Sequence, residues 1–164
     1  MIRRLGSKKA SDTGGVLATL VELLAATSSG LFTGSAVYIN LVEHPARMQA
    51  GTRVALAEFA PSYKRATVTQ VFLATIGFLS ALAAWRSNAD ARWLVGGGLL
   101  ISVIPFTLAV ILPTNEKLLD PATANDLDLA ERLLTRWGRL HAVRSVLGLA
   151  SLLTFLLLLV KRRD

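Results

Sequence analysis

Apolar positions along this chain gather into four blocks, at about residues 16–42, 68–85, 92–112 and 142–160, and the polar positions crowd between them. Each block approaches the roughly 20 residues that a helix needs to cross a bilayer. Lipid cannot satisfy free backbone N–H and C=O groups, so the blocks are predicted to be helices with negligible strand. The expected fold is all-α, an integral membrane four-helix bundle with interfacial helical segments. A single domain over 16–160 would carry it, between basic tails at 1–15 and 161–164. The first block runs on into YINLVEHP with no small-residue cleavage pattern, which predicts a retained span rather than a removed signal segment.

If the spans alternate in direction, the end of the first, the start of the second, the end of the third and the start of the fourth meet at one face. That face receives Glu43, His44, Tyr63, Lys64, Asn115, Trp137, His141 and Arg144, including both histidines of the chain. Helical spacing sharpens the picture: Ser29, Thr33, Asn40 and His44 share a stripe, as do Tyr63, Thr67 and Gln70, and Trp137, His141 and Arg144. Ionisable groups at a membrane helix end cost free energy unless they pair, reach water or bind something, so their convergence marks a candidate site. Glu22 falls at the other end of the first span, about 31 Å along the axis from Glu43, and is expected to be an interfacial or helix-pairing carboxylate there.

Prolines punctuate the connections. Pro45 is expected to end the first helix and Pro61 to open the second, leaving 46–60 as a short interfacial segment. Pro113 similarly closes the third span, and Pro105 kinks it. Asp120 followed by Pro121 predicts an N-cap and first helical position for a last helix that protrudes beyond the bilayer. Simpler roles also fit several residues: Gly30 and Gly34 as a close-packing pair, Trp93 and Trp137 as interfacial anchors, and Lys64, Arg65 and Arg144 as snorkelling cations. Gly138 is a close-packing point or a weak spot in the helix.

Composition narrows the class. With 164 residues, 52% hydrophobic, a mean hydropathy of +0.50 and a formal charge of +7, the chain reads as a small membrane protein whose partners are lipids and a hydrophobic small molecule. The basic residues sit at span ends and tails, where anionic headgroups lie, and form no stripe suited to nucleic acid. Without cysteine there is no thiolate chemistry and no Cys-ligated metal centre. Lys and Arg divide evenly between the two faces, so orientation rests on the lower acid content of the tails and the 86–92 turn. Both termini are therefore expected to be cytoplasmic.

The strings YINLVEHPARM, PSYKRATVTQ, PFTLAVILPTNEKLL and RWGRLHAVRS, in this order on four spans, resemble the anthrone-oxygenase-like family of small membrane proteins. The resemblance covers nearly the whole chain. It implies a compact four-span fold, with Glu43, His44, Pro45, Pro61, Tyr63, Lys64, Asn115, Trp137, His141 and Arg144 at recurrent polar positions. It also implies oxygenation of an anthrone-type polyketide to an anthraquinone, hence an apolar, phenol-like substrate. The membrane is expected to be the bacterial inner one. Two chemistries suit the residues. In one, His44 or His141 is a general base, Tyr63, Lys64 and Arg144 take part in catalysis, and Asn40, Thr67, Gln70, Asn115 and Trp137 contact the substrate. In the other, His44, His141 and Glu43 bind one transition metal, iron or copper before zinc. A non-catalytic binder or transporter of a quinone or lipid is the alternative function.

Overall fold

The computed structural model describes residues 2–161, with side-chain surroundings from residue 14 onward, so the side chains of the expected tails lie largely outside the described residues. Among the described residues there is no strand. Helix α1 (Ile2–Tyr38) passes through a π-helical turn, Ile39–Glu43, into α2 (His44–Gln49). Helix α3 (Thr52–Asn88) returns. Helices α4 (Arg92–Ile101) and α5 (Val103–Phe106), a second π-helical turn, Thr107–Ile111, and α6 (Leu112–Leu119) make the third rod. A 3₁₀ turn, Pro121–Asn125, leads to α7 (Leu127–Lys161). Four rods, Gly14–Gln49, Thr52–Asn88, Arg92–Leu119 and Leu127–Lys161, are long and apolar enough to cross a membrane.

The rods pack in a ring, α1 on α3, α3 on α4, α4 on α7 and α7 on α1. Side chains facing outward along the blocks, among them Leu20, Leu31, Phe72, Leu79, Val95, Val146, Leu153 and Leu157, are exposed. A belt of this kind suits acyl chains rather than water. Inside, Phe32, Leu100 and Phe155 are wholly buried among small residues. The close approaches fall at Gly77, Gly96, Gly97 and Gly148, whereas Gly34 faces open space and Gly30 makes only ordinary contact with Leu152. The expected Gly30–Gly34 packing pair is thus not where the helices meet most closely. Trp93 stacks on Phe155 with centroids 5.3 Å apart and is buried, as is Trp137, so neither is an interfacial anchor.

The prolines behave differently from expectation. Pro45 does not end the first rod, nor Pro113 the third, because each follows a widened turn. His44 N–H bonds Ile39 O and Leu112 N–H bonds Thr107 O, an i→i+5 pattern that relieves the clash a proline ring would have with the carbonyl four residues back. Pro61 lies inside α3, which begins at Thr52. The span between rods one and two is therefore a tight turn at Gly51, whose φ of 99° favours glycine, and not an interfacial segment over 46–60. Asp120 does cap with Pro121 behind it, accepting from Ala122 N at 2.9 Å, but the helix it starts is the 3₁₀ turn. Asp126 caps α7, its carboxylate accepting from Leu129 N at 2.9 Å.

Continuation past the prolines gives the bundle a second storey. Ile39, Ala55, Phe59, Ile111, Leu118, Leu133, Leu134 and Trp137 form a core of their own at the end away from the termini. The candidate site lies beneath this cap.

Candidate functional site

The two π-helical turns frame the site. In the first, an extra residue per turn places Asn40 toward the fourth rod, where its Nδ2 donates to Gly138 O at 2.9 Å. A carbonyl can only accept, so this bond fixes the amide orientation and turns Oδ1 toward two partners. It accepts from Ser145 Oγ at 2.7 Å and lies 2.8 Å from His141 Nδ1. With an acceptor facing it, Nδ1 carries the ring hydrogen, and Nε2 is the nitrogen left to accept a proton. Ring and tautomer of His141 are thereby set by one carboxamide. The indole of Trp137 stacks on the imidazole at 4.8 Å and 29°.

His141 lines a small cavity of about 20 Å³ with Ile39, Arg47, Phe59, Tyr63, Thr67, Gln70, Asn115, Trp137 and Arg144. That volume holds a molecule about the size of water. Asn115 is 1% exposed, and neither its Nδ2 nor its Oδ1 has a hydrogen-bond partner. An unsatisfied buried amide costs about 1–3 kcal/mol, which makes this wall of the cavity receptive to a polar ligand. Arg144 donates to Gln70 Oε1 at 2.5 Å, and Gln70 in turn donates to Ser35 Oγ at 3.2 Å. Among the described residues no carboxylate pairs with Arg144, and its Nε is unpartnered. The Arg144 guanidinium also lies over the Phe32 ring, 5.8 Å from its centroid, and a cation in an apolar bundle held by a ring face and a neutral amide, with no carboxylate, favours an incoming anion.

Of the remaining candidates, His44 is not in the cavity wall. It is buried against the outer edge of Trp137, with centroids 5.3 Å apart, and Gly138 makes room for it: a Cβ there would sit 2.5 Å from His44 Nε2. Gly138 is therefore a packing point. Glu43 turns to Arg47 and Ser62, the latter donating at 2.7 Å, and Arg47 also pairs with Glu58 at 2.9 Å. Lys64 and Arg65 are exposed and take no part in the cavity. A metal set of His44, His141 and Glu43 is thus not assembled, since the Glu43 carboxylate is turned to Arg47 and Ser62 and His44 lies behind Trp137. Among the described residues no three His, Asp or Glu side chains gather as ligands. Glu22 is remote, buried at the other end, where Asn88 Nδ2 donates to it at 3.1 Å.

Sequence reasoning missed Arg47, Ser145 and Phe59. Arg47 lies over Trp137, 5.8 Å from the ring centroid, and helps wall the cavity. Its spacing of four from Glu43 was the available signal. Ser145 follows His141 by four on the same face. Phe59 packs edge-on against Trp137 at 5.4 Å and stacks on Tyr63 at 5.8 Å, which completes an aromatic wall that begins outside the four apolar blocks.

Comparison with known proteins gives the arrangement a context. The sequence profile of the family described as Anthrone oxygenase matches residues 59–154. The chain is 28% identical over 155 residues to "Anthrone oxygenase tpcL" of Aspergillus fumigatus, covering 82% of this chain and 94% of the relative. It is 29% identical over 153 residues to "Anthrone oxygenase dmxR16" of a Cryptosporiopsis species, covering 87% and 88%. Both relatives are fungal, which conflicts with the expectation of a bacterial membrane. No solved structure matches.

Proposed function

The chain belongs to the anthrone oxygenase family, and from that premise we propose that it is a membrane-embedded oxygenase acting on an apolar, anthrone-like phenol at the His141 cavity. The observation that carries this reading is Arg144, a guanidinium with no carboxylate partner, lining one cavity with an unsatisfied Asn115 and with His141. An anthrone has a methylene made acidic by its rings and carbonyl, and its conjugate base is an oxyanion. Those are the two features that a neutral base and an unpaired cation serve.

In this reading His141 Nε2 accepts the methylene proton while Arg144 and Asn115 hold the oxyanion, lowering the energy of the carbanion form. The electron-rich carbon reduces dioxygen and bonds to it. Protonation from His141 gives a hydroperoxide, and loss of water leaves a ketone. One CH₂ and one O₂ become one C=O and one H₂O, so the step balances with no further reductant. Asn40 and Trp137 orient His141. No step is routed through a metal, because the His44, His141 and Glu43 side chains do not converge.

The test is oxygen uptake by detergent-purified protein given anthrone, with the quinone product followed by absorbance. His141→Gln should lower turnover by about 10² to 10⁴, the usual weight of a general base, while the protein stays helical. Wild-type turnover in that variant would refute the base assignment. A pure binding protein would take up anthrone without consuming oxygen.

A further inference from the structure

A second cavity, about 80 Å³, lies between α3 and the third rod. Val71, Val103, Ile104, Thr107, Leu108 and Leu112 line it, together with Tyr63, Thr67, Gln70 and Arg144, four residues that also border the His141 cavity. The two spaces thus meet at the Gln70–Arg144 hydrogen bond. Val71 and Leu108 are 42% and 60% exposed, on the outward face where the apolar belt runs. One cavity, mostly apolar but with Thr107 in its lining, thus has exposed Val71 and Leu108 among its walls together with the Arg144 guanidinium.

The third rod is weakest at this place. Pro105 cannot bond the Ile101 carbonyl, Thr107–Ile111 is π-helical, and Pro113 follows, so three interruptions fall within nine residues. Below them α3 and α4 are in extensive contact, whereas α3 touches α5 only sparsely. The volume itself is informative. A cavity of about 150 Å³ is what accommodates a single benzene ring, so neither space admits a fused tricycle until the wall moves.

We propose that this cavity is a lateral doorway and ring seat for a planar aromatic substrate arriving from the bilayer, and that the Gln70–Arg144 bond is its inner latch. The proposal rests on the oxygenase reading above and adds where the substrate comes from. The ring slides between α3 and the π-helical turn of the third rod. Arg144 exchanges the Gln70 carboxamide for the substrate's oxyanion, and the acidic carbon then faces His141. A charged guanidinium ties the latch to substrate chemistry, since an acyl chain brings no oxygen to replace Gln70.

The absence of cysteine makes a clean experiment available. Leu108→Cys and, on the exposed face of the fourth rod, Val146→Cys are folded into lipid nanodiscs and only then labelled with a bulky maleimide. Each carries Trp85→Phe and Trp93→Phe, so quenching by anthrone reports on Trp137 alone. Labelling at 108 should slow quenching and raise KM at least tenfold relative to the same protein unlabelled, while labelling at 146 changes both less than twofold. Gln70→Ala should speed quenching; an unchanged or slower rate removes the latch. If labelling at 108 leaves quenching within twofold while turnover persists, the doorway is wrong and the oxygenase reading stands. Equal slowing by labels at 108 and 146 also overturns the doorway. Release of bound lipid on labelling at 108, with quenching unchanged, makes the cavity a lipid seat and overturns it too. If the unlabelled proteins neither quench nor turn over anthrone, both readings fall together.

Discussion

One carboxamide, that of Asn40, sets the state of the imidazole on which the proposed chemistry depends. Its Nδ2 is committed to a backbone carbonyl and its Oδ1 to His141 and Ser145. Asn40→Ala should therefore release the ring without removing the base. We expect a fall in turnover smaller than that of His141→Gln and, from the buried hydroxyl and ring nitrogen left unpaired, a loss of about 1–3 kcal/mol in stability. Denaturation in detergent together with oxygen uptake measures both; unchanged kinetics would mean that Trp137 alone holds the ring. His44 stands differently, being packed into the hole at Gly138. Gly138→Ala should push it out of place at a cost of about 1–3 kcal/mol. A variant as stable as the parent would mean that His44 does not depend on the space at Gly138. His44 and His141 were equivalent from sequence, because spacing places both at one helix end and cannot say which ring meets a void and which meets a glycine.

At the scale of the element, the two π-helical turns explain why rods continue through Pro45 and Pro113. Their sequence signature is faint. A proline is ordinarily a stop, and the extra residue that accommodates it leaves no distinctive residue type behind. The consequence is rotational, since one residue more or less turns everything on its N-terminal side by about 100°. Deleting Leu41, which is exposed, should restore an i→i+4 helix there and swing Asn40 away from His141. Circular dichroism should stay fully helical while turnover drops at least as far as in Asn40→Ala. Wild-type activity in the deletion would show that the turn has no part in placing Asn40. Part of this was readable in advance: Asp120 before Pro121 does cap, although it caps the 3₁₀ turn and Asp126 caps α7, because capping is a local property.

At the scale of the molecule, three rods have 35 to 37 residues and the third has 28, lengths of roughly 54 Å and 42 Å at 1.5 Å per residue, against roughly 30 Å of hydrocarbon in a bilayer. At the end away from the termini the rods form the cap whose core contains Phe59, wholly buried against Trp137 and Tyr63. Phe59→Ala should cost about 3–5 kcal/mol by opening a cavity there, and the loss should appear in site-dependent quenching as well as in melting. A stable variant with an intact site would separate cap from cavity. Topology has a direct check in the cysteine-free chain. Cysteines replacing Asp90 and Ala124 should react with an impermeant maleimide from opposite sides of a sealed membrane, and labelling of both from one side would contradict four crossings.

Four apolar blocks, their helical character, their alternation and the gathering of polar residues at one end were determined by the sequence itself, because length, hydropathy and the need to satisfy backbone groups act along the chain. Tyr63, Thr67, Gln70, Asn115, Trp137, His141 and Arg144 follow from that gathering and do line one cavity. Only the tertiary structure decided that Glu43 belongs to Arg47, that Lys64 faces outward, that His44 packs behind Trp137, and that a second cavity opens between α3 and the third rod. Those outcomes depend on the rotation of each rod about its own axis. Two widened turns and a set of close contacts between rods fix that rotation, and residues distant in sequence make them only once the chain has folded.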